Sequence, residues 1–106
     1  MKTLQEFKER IKVGAKLHTV HHMNFHSRNE DGTINWTNKD LGVREVSIKQ
    51  TNAFALKTTL SDGKIADSWC YYPKSSDIVY NPNGITILEL QSDGKKIPIL
   101  TYTFID

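Results

Sequence analysis

A single cysteine, Cys70, excludes any disulfide within the chain. The fold must therefore be held by its core, and a reducing compartment is the natural setting. Long apolar runs are missing as well, and nothing approaches the roughly 20 residues that cross a bilayer as a helix. Charges interrupt the first thirteen residues, MKTLQEFKERIKV, throughout. They do not read as a secretory signal, so a cytoplasmic protein is expected. Charge of one sign is scarce too: 14 Lys and Arg against 12 Asp and Glu leave a net charge of +2 at pH 7. That falls short of the basic face of a dedicated nucleic-acid binder. There is no P-loop, dinucleotide fingerprint, G-x-S-x-G or H-E-x-x-H. With no evident acid–base pair either, a small enzyme is the least favoured class, and no cofactor is expected.

What is present is enough for one domain spanning residues 1–106, a length that buries a core without metal or disulfide. Thr3-Leu4-Gln5-Glu6 fits a capping box, in which the Thr3 hydroxyl and the Glu6 side chain satisfy each other's backbone amides. Leu4, Phe7 and Ile11 follow on one helical face, and the pattern predicts a helix over residues 4–12, with Gly14 as its stop. After Gly14 the period becomes two. AKLHTVHHMNF, REVSIKQ, AFALKTTL, KIADSWCYY, ITILELQ and KIPILTYTF read as strands across residues 15–105. Ser61-Asp62-Gly63-Lys64 and Ser92-Asp93-Gly94-Lys95 are Asp-Gly hairpin turns, with further punctuation at Thr51-Asn52 and Asn81-Pro82-Asn83-Gly84.

The expected fold is α+β and mainly β: a short N-terminal helix on a five- or six-stranded, strongly bent antiparallel sheet, or an SH3-like small barrel. Phe54, Leu56 and Leu60 share one strand parity, as do Leu100, Tyr102 and Phe104. Ile97, Ile99 and Ile105 take the opposite one. The last two strands therefore look covered on both sides. Residues 27–42, SRNEDGTINWTNKDLG, read as a long polar loop or a short hairpin with Trp36 as its large apolar residue.

All four histidines fall in HTVHHMNFH, residues 18–26. On a strand His18, His22 and His26 share a face, but neighbours four apart lie roughly 13 Å from each other. Zinc needs its imidazoles within a few ångströms, so no metal site is expected here. Cys70 sits in mid-strand without a helix N-terminus or a cation to activate it, and reads as a structural thiol. Trp69 and Tyr71 share one strand face, with Cys70 and Tyr72 on the other. One aromatic pair must therefore face outward unless both faces are covered.

These residues define the candidate sites. Trp36, Trp69, Tyr71, Tyr72 and Lys74 are the candidate partner-binding residues, because interfaces draw their energy from a few aromatic anchors. Residues 1–16 carry a local excess of three positive charges, and Lys8, Lys12 and Lys16 are candidate nucleic-acid contacts. The run Arg44 to Ala53, REVSIKQTNA, with Ser68-Trp69, Tyr72 to Asp77, and Leu100-Thr101-Tyr102 resembles small accessory proteins of bacteriophages and mobile elements of Gram-positive bacteria. The resemblance implies a viral or mobile-element binding protein acting as an inhibitor of a host defence enzyme, anti-CRISPR proteins included. The favoured expectation is thus a non-enzymatic module that occludes a protein partner. A nucleic-acid-binding small barrel is the alternative. Salt dependence of binding separates the two.

Overall fold

Thr3 starts the helix as the capping box requires: the Glu6 amide donates to Thr3 Oγ1 at 3.1 Å. The Glu6 carboxylate reaches back one residue further than expected, accepting from the Lys2 amide at 3.2 Å. Helix α1 covers Leu4–Arg10 in this computed structural model, which describes residues 1–22, 30 and 38–105. It ends two residues before the expected Lys12 because Ile11 is already extended, with φ −73° and ψ 106°. Gly14, at φ 93°, serves the turn into the first strand instead of stopping the helix, and its amide donates to Val46 O at 2.9 Å.

Among the described residues seven strands follow: β1 Lys16–His21, β2 Lys39–Lys49, β3 Ala53–Thr59, β4 Ile65–Tyr71, β5 Ile78–Asn81, β6 Gly84–Leu90 and β7 Lys96–Ile105. They form one antiparallel sheet in the order β4-β3-β2-β1-β7-β6-β5. The count exceeds the expected five or six because β5, only four residues between a 3₁₀ turn at Ser75–Asp77 and Pro82, is too short to show a period. The end of the polar stretch is also strand: Lys39–Gly42 belong to β2. Of residues 27–42 only Glu30 and 38–42 are described, so the expected loop and Trp36 lie otherwise outside the described residues.

Both Asp-Gly hairpins form as anticipated. Lys64 N donates to Asp62 Oδ1 and Lys95 N to Asp93 Oδ1, each at 2.9 Å. Gly63 and Gly94 supply the positive φ of 83° and 84° that the turns demand.

The sheet bends without closing into the expected barrel, since no ladder joins β4 to β5. Chain length explains the bend. Seven strands laid flat would set their edges about 29 Å apart. The link from Tyr71 to Ile78 spans at most roughly 25 Å, less with a 3₁₀ turn inside it. The curled inner face receives α1. Phe7, Ile11, Leu17, Val46, Leu56 and Ile85 are fully buried, with Phe54, Tyr102 and Phe104 close behind. Phe7 sits at the centre, its ring 5.4–6.3 Å from those of Phe54, Tyr72, Tyr102 and Phe104. Among the described residues nothing covers the outer face in this way. Ile105 is exposed there at 42%, so the last strand is not clad on both sides as its apolar content suggested. Leu60 is also 45% exposed, because the hairpin turn begins there instead of the strand continuing inward. No helix among the described residues is long and apolar enough to cross a membrane.

Candidate functional site

Among the described residues strand β4, IADSWCY, is an edge of the sheet, paired on one side only. Its ladder with β3 runs without a bulge from Ala53↔Tyr71 to Thr59↔Ile65. Leu60 N donates to Lys64 O at 2.8 Å and Tyr72 N to Asn52 O at 3.5 Å, which fixes the phase of the hydrogen bonds. Antiparallel partners exchange bonds at alternate residues, so Ala66, Ser68 and Cys70 face β3 with their amides and carbonyls. Ile65, Asp67, Trp69 and Tyr71 turn theirs away from the sheet. The same four residues carry the outward side chains.

Those side chains are unusually apolar for a free edge. Ile65 is 68% exposed, Trp69 45% and Tyr71 75%. Beside them Ala53 and Ala55, the cross-strand partners of Tyr71 and Trp69, are small and buried. The aromatic rings therefore form the surface here. Asp67 is the charge in the row, and its Oδ1 accepts from Ser47 Oγ at 2.7 Å. Next to it Lys57 and Glu45 pair at 2.9 Å, and the lysine holds the Glu45 carboxyl below its ordinary range.

The expected partner-binding residues thus separate. Trp69 and Tyr71 project from the edge, and Lys74 is exposed just beyond it. Tyr72 does not join them: it turns inward onto Phe7 and Phe54, and its buried hydroxyl meets no partner among the described residues. Parity is the reason, since Tyr72 follows Cys70 on the inner face. Ile65 was not singled out by the sequence, although its odd parity with Trp69 carries the signal.

The three candidate lysines do not make one basic face. Lys8 lies with Nζ 5.0 Å from the centre of the Tyr72 ring. Lys12 and Lys16 line a groove of about 520 Å³ shared with Glu6, Glu9, Arg10 and Phe104. Acidic side chains therefore interleave with the basic ones.

The histidines make local polar contacts. His18 Nε2 lies 2.7 Å from Asp40 Oδ1, while His22 lies 2.6 Å from Thr101 Oγ1 and 3.0 Å from Asn38 Oδ1. His26 is outside the described residues. Among the described residues no group of three His, Cys, Asp or Glu is placed to hold a metal ion. Cys70 points inward, and burial pushes its thiol up, away from the reactive thiolate. No family model, no curated protein and no solved structure matches this chain.

Proposed function

We propose that the chain is a non-enzymatic binding module that captures an extended segment of a protein partner along β4. The observation carrying this reading is the seven-residue edge whose outward backbone groups, unpaired by any described strand, coincide with exposed Ile65, Trp69 and Tyr71. An added strand would satisfy the outward amides and carbonyls, giving affinity, while alternate side chains meet the aromatic rows, giving selectivity. Each aromatic anchor in such a contact contributes about 2 kcal/mol or more. An inhibitor from a phage or mobile element, as the resemblance implies, would act this way by occluding a host defence enzyme. A cytoplasmic setting suits the free, inward Cys70 thiol.

The nucleic-acid reading has weaker support, because the candidate lysines share their groove with Glu6 and Glu9. Two variants test the edge. Asp67→Pro removes an outward amide without touching the ladder to β3, so it blocks strand addition while sparing the aromatics. Trp69→Ala with Tyr71→Ala removes the anchors and leaves the edge. Quantitative capture from extract of the native host should fall at least tenfold for both baits, with unchanged circular dichroism. Undiminished capture by both variants would defeat the proposal. So would tight binding to DNA or RNA at physiological salt that weakens steeply as salt rises.

A further inference from the structure

Among the described residues the sheet ends in two unlike edges. β5 is short, is bounded by Pro82, and has Lys96 and Asp77 paired beside it at 3.0 Å. β4 offers seven residues without proline or lysine, and its outward row is apolar at Ile65, Trp69 and Tyr71. Such an edge pairs readily with extended backbone, because its amides and carbonyls are already aligned. In a solution of this protein the backbone at hand is β4 of a second copy. A twofold axis makes an antiparallel strand complementary to itself. One open edge and one blunted edge then close as a dimer instead of growing into a fibre.

The residues of β4 select one register for such a pair. Outward amides and carbonyls belong to Ile65, Asp67, Trp69 and Tyr71, so these residues exchange hydrogen bonds with the second copy. With the axis at Ser68, Ile65 faces Tyr71 of the second copy and Asp67 faces its Trp69. All seven residues of β4 are then paired. Moving the axis to Trp69 sets Ile65 against Pro73, which has no amide to give. Moving it to Asp67 sets that carboxylate directly against its own copy, a like-charge pair that destabilises a ladder. It also runs Tyr71 into Gly63 of the hairpin turn. At Ser68 each Asp67 instead lies opposite an indole, and each exposed Ile65 meets a Tyr71 ring.

We propose that β4 pairs antiparallel with β4 of a second copy about a twofold axis at Ser68, joining two sheets into one. The inference rests on the edge being open, as the capture of a partner segment does, and deepens that reading: the chain's own strand is the first occupant. A partner segment must displace it, so capture competes with self-association.

Sedimentation equilibrium from low-micromolar to submillimolar protein tests the pairing. The expected result is a reversible doubling of mass as concentration rises. Asp67→Pro removes an amide from both Asp67–Trp69 pairs and should weaken the dimer about tenfold or more. Trp69→Ala with Tyr71→Ala should weaken it about as much, by removing the anchors. Cross-linking reads the axis without those variants, should they fail to fold. Facing residues that exchange no hydrogen bonds have Cα atoms about 4.5 Å apart, within reach of a disulfide. Ser68→Cys in a Cys70→Ala background should therefore oxidise to a covalent dimer. Wild-type Cys70, facing Ala66 of the second copy, should not. A wild-type chain that stays monomeric throughout overturns the proposal and leaves capture from extract free to succeed. A dimer that Asp67→Pro does not weaken overturns it too, as does one in which Ser68→Cys forms no cross-link. A cross-linked dimer with no capture from extract supports the pairing and defeats only the host-partner reading.

Discussion

The inner face of the sheet has two halves built on opposite principles. Around Phe7 the rings of Phe54, Tyr72, Tyr102 and Phe104 interlock with Ile11 and Ile85, and α1 closes them off from water. Around Arg44 the same face carries Thr58 and Ser68, with Nη1 donating to Thr58 Oγ1 at 3.1 Å and Thr58 Oγ1 2.7 Å from Ser68 Oγ. The first half stabilises through contact area, at roughly 1.5–3 kcal/mol for each large side chain removed from water. The second contributes little of that kind and keeps a charge where apolar side chains would pack. The fold thus rests mainly on the first half. The two sheet edges divide the same way. β5 is four residues long, is bounded by Pro82, and lies beside the Lys96–Asp77 ion pair at 3.0 Å. β4 is seven residues long, with neither proline nor lysine to guard it.

Truncation in the aromatic half should have the largest effect. Phe7→Ala is expected to cost about 3–5 kcal/mol in urea unfolding, since the cavity lies among four other rings. A negligible change would mean that α1 does not hold the core. Gly84→Ala should come next. A Cβ there would fall onto the Tyr102 backbone carbonyl, which cannot swing aside as a side chain does. A loss of about 1–3 kcal/mol is expected from such overpacking, read from the same unfolding curves.

In the polar half, Arg44→Met should leave stability within about 1 kcal/mol of the wild type or raise it, because it removes a poorly compensated charge and keeps the stem's volume. A loss above about 3 kcal/mol would show the guanidinium to be paired and erase the contrast between the halves. The smallest effect concerns His21. Burial comes first, then the charges of Arg44, Lys39 and His22, in holding its imidazole below the ordinary value. The unfolded chain then takes up the proton first as pH falls, near pH 6.5, so the native state loses stability from about 6.5 downward through the folded value. His21→Gln should flatten stability between pH 6.5 and 5. The difference should stay below about 1 kcal/mol, since the ring is substantially exposed and screened. A steeper acid slope in the variant would reverse the sign.

Much of the apolar half was legible in the sequence. The capping box with Leu4, Phe7 and Ile11 announced the helix, and the alternation in LTYTF placed Leu100, Tyr102 and Phe104 together. Where the reading slipped, a local irregularity was responsible. Gly14 looked like a helix stop, but Ile11 had already left helical dihedrals. β5 was too brief for any period to register. The candidate site was half legible: parity alone set Trp69 and Tyr71 against Cys70 and Tyr72. It could not say which pair faced water. That depended on Phe7 arriving from a distant helix to bury Tyr72. Arg44 shares the parity of Val46 and Ile48, a charged residue in an apolar row, and that is the signal by which it could have been noticed.

By itself the sequence determined the helix, the period-two strands, the Asp-Gly hairpins and the division of each strand into two faces, because these rest on dihedral preference and side-chain alternation over a few residues. Tertiary structure decided the rest. The reach of the Tyr72–Asp77 link bends the sheet, the strand order puts β4 at an edge, and the concave side receives Phe7 at one end and sets Arg44 against Thr58 at the other. Those outcomes turn on how segments distant along the chain meet in space, which no local pattern encodes.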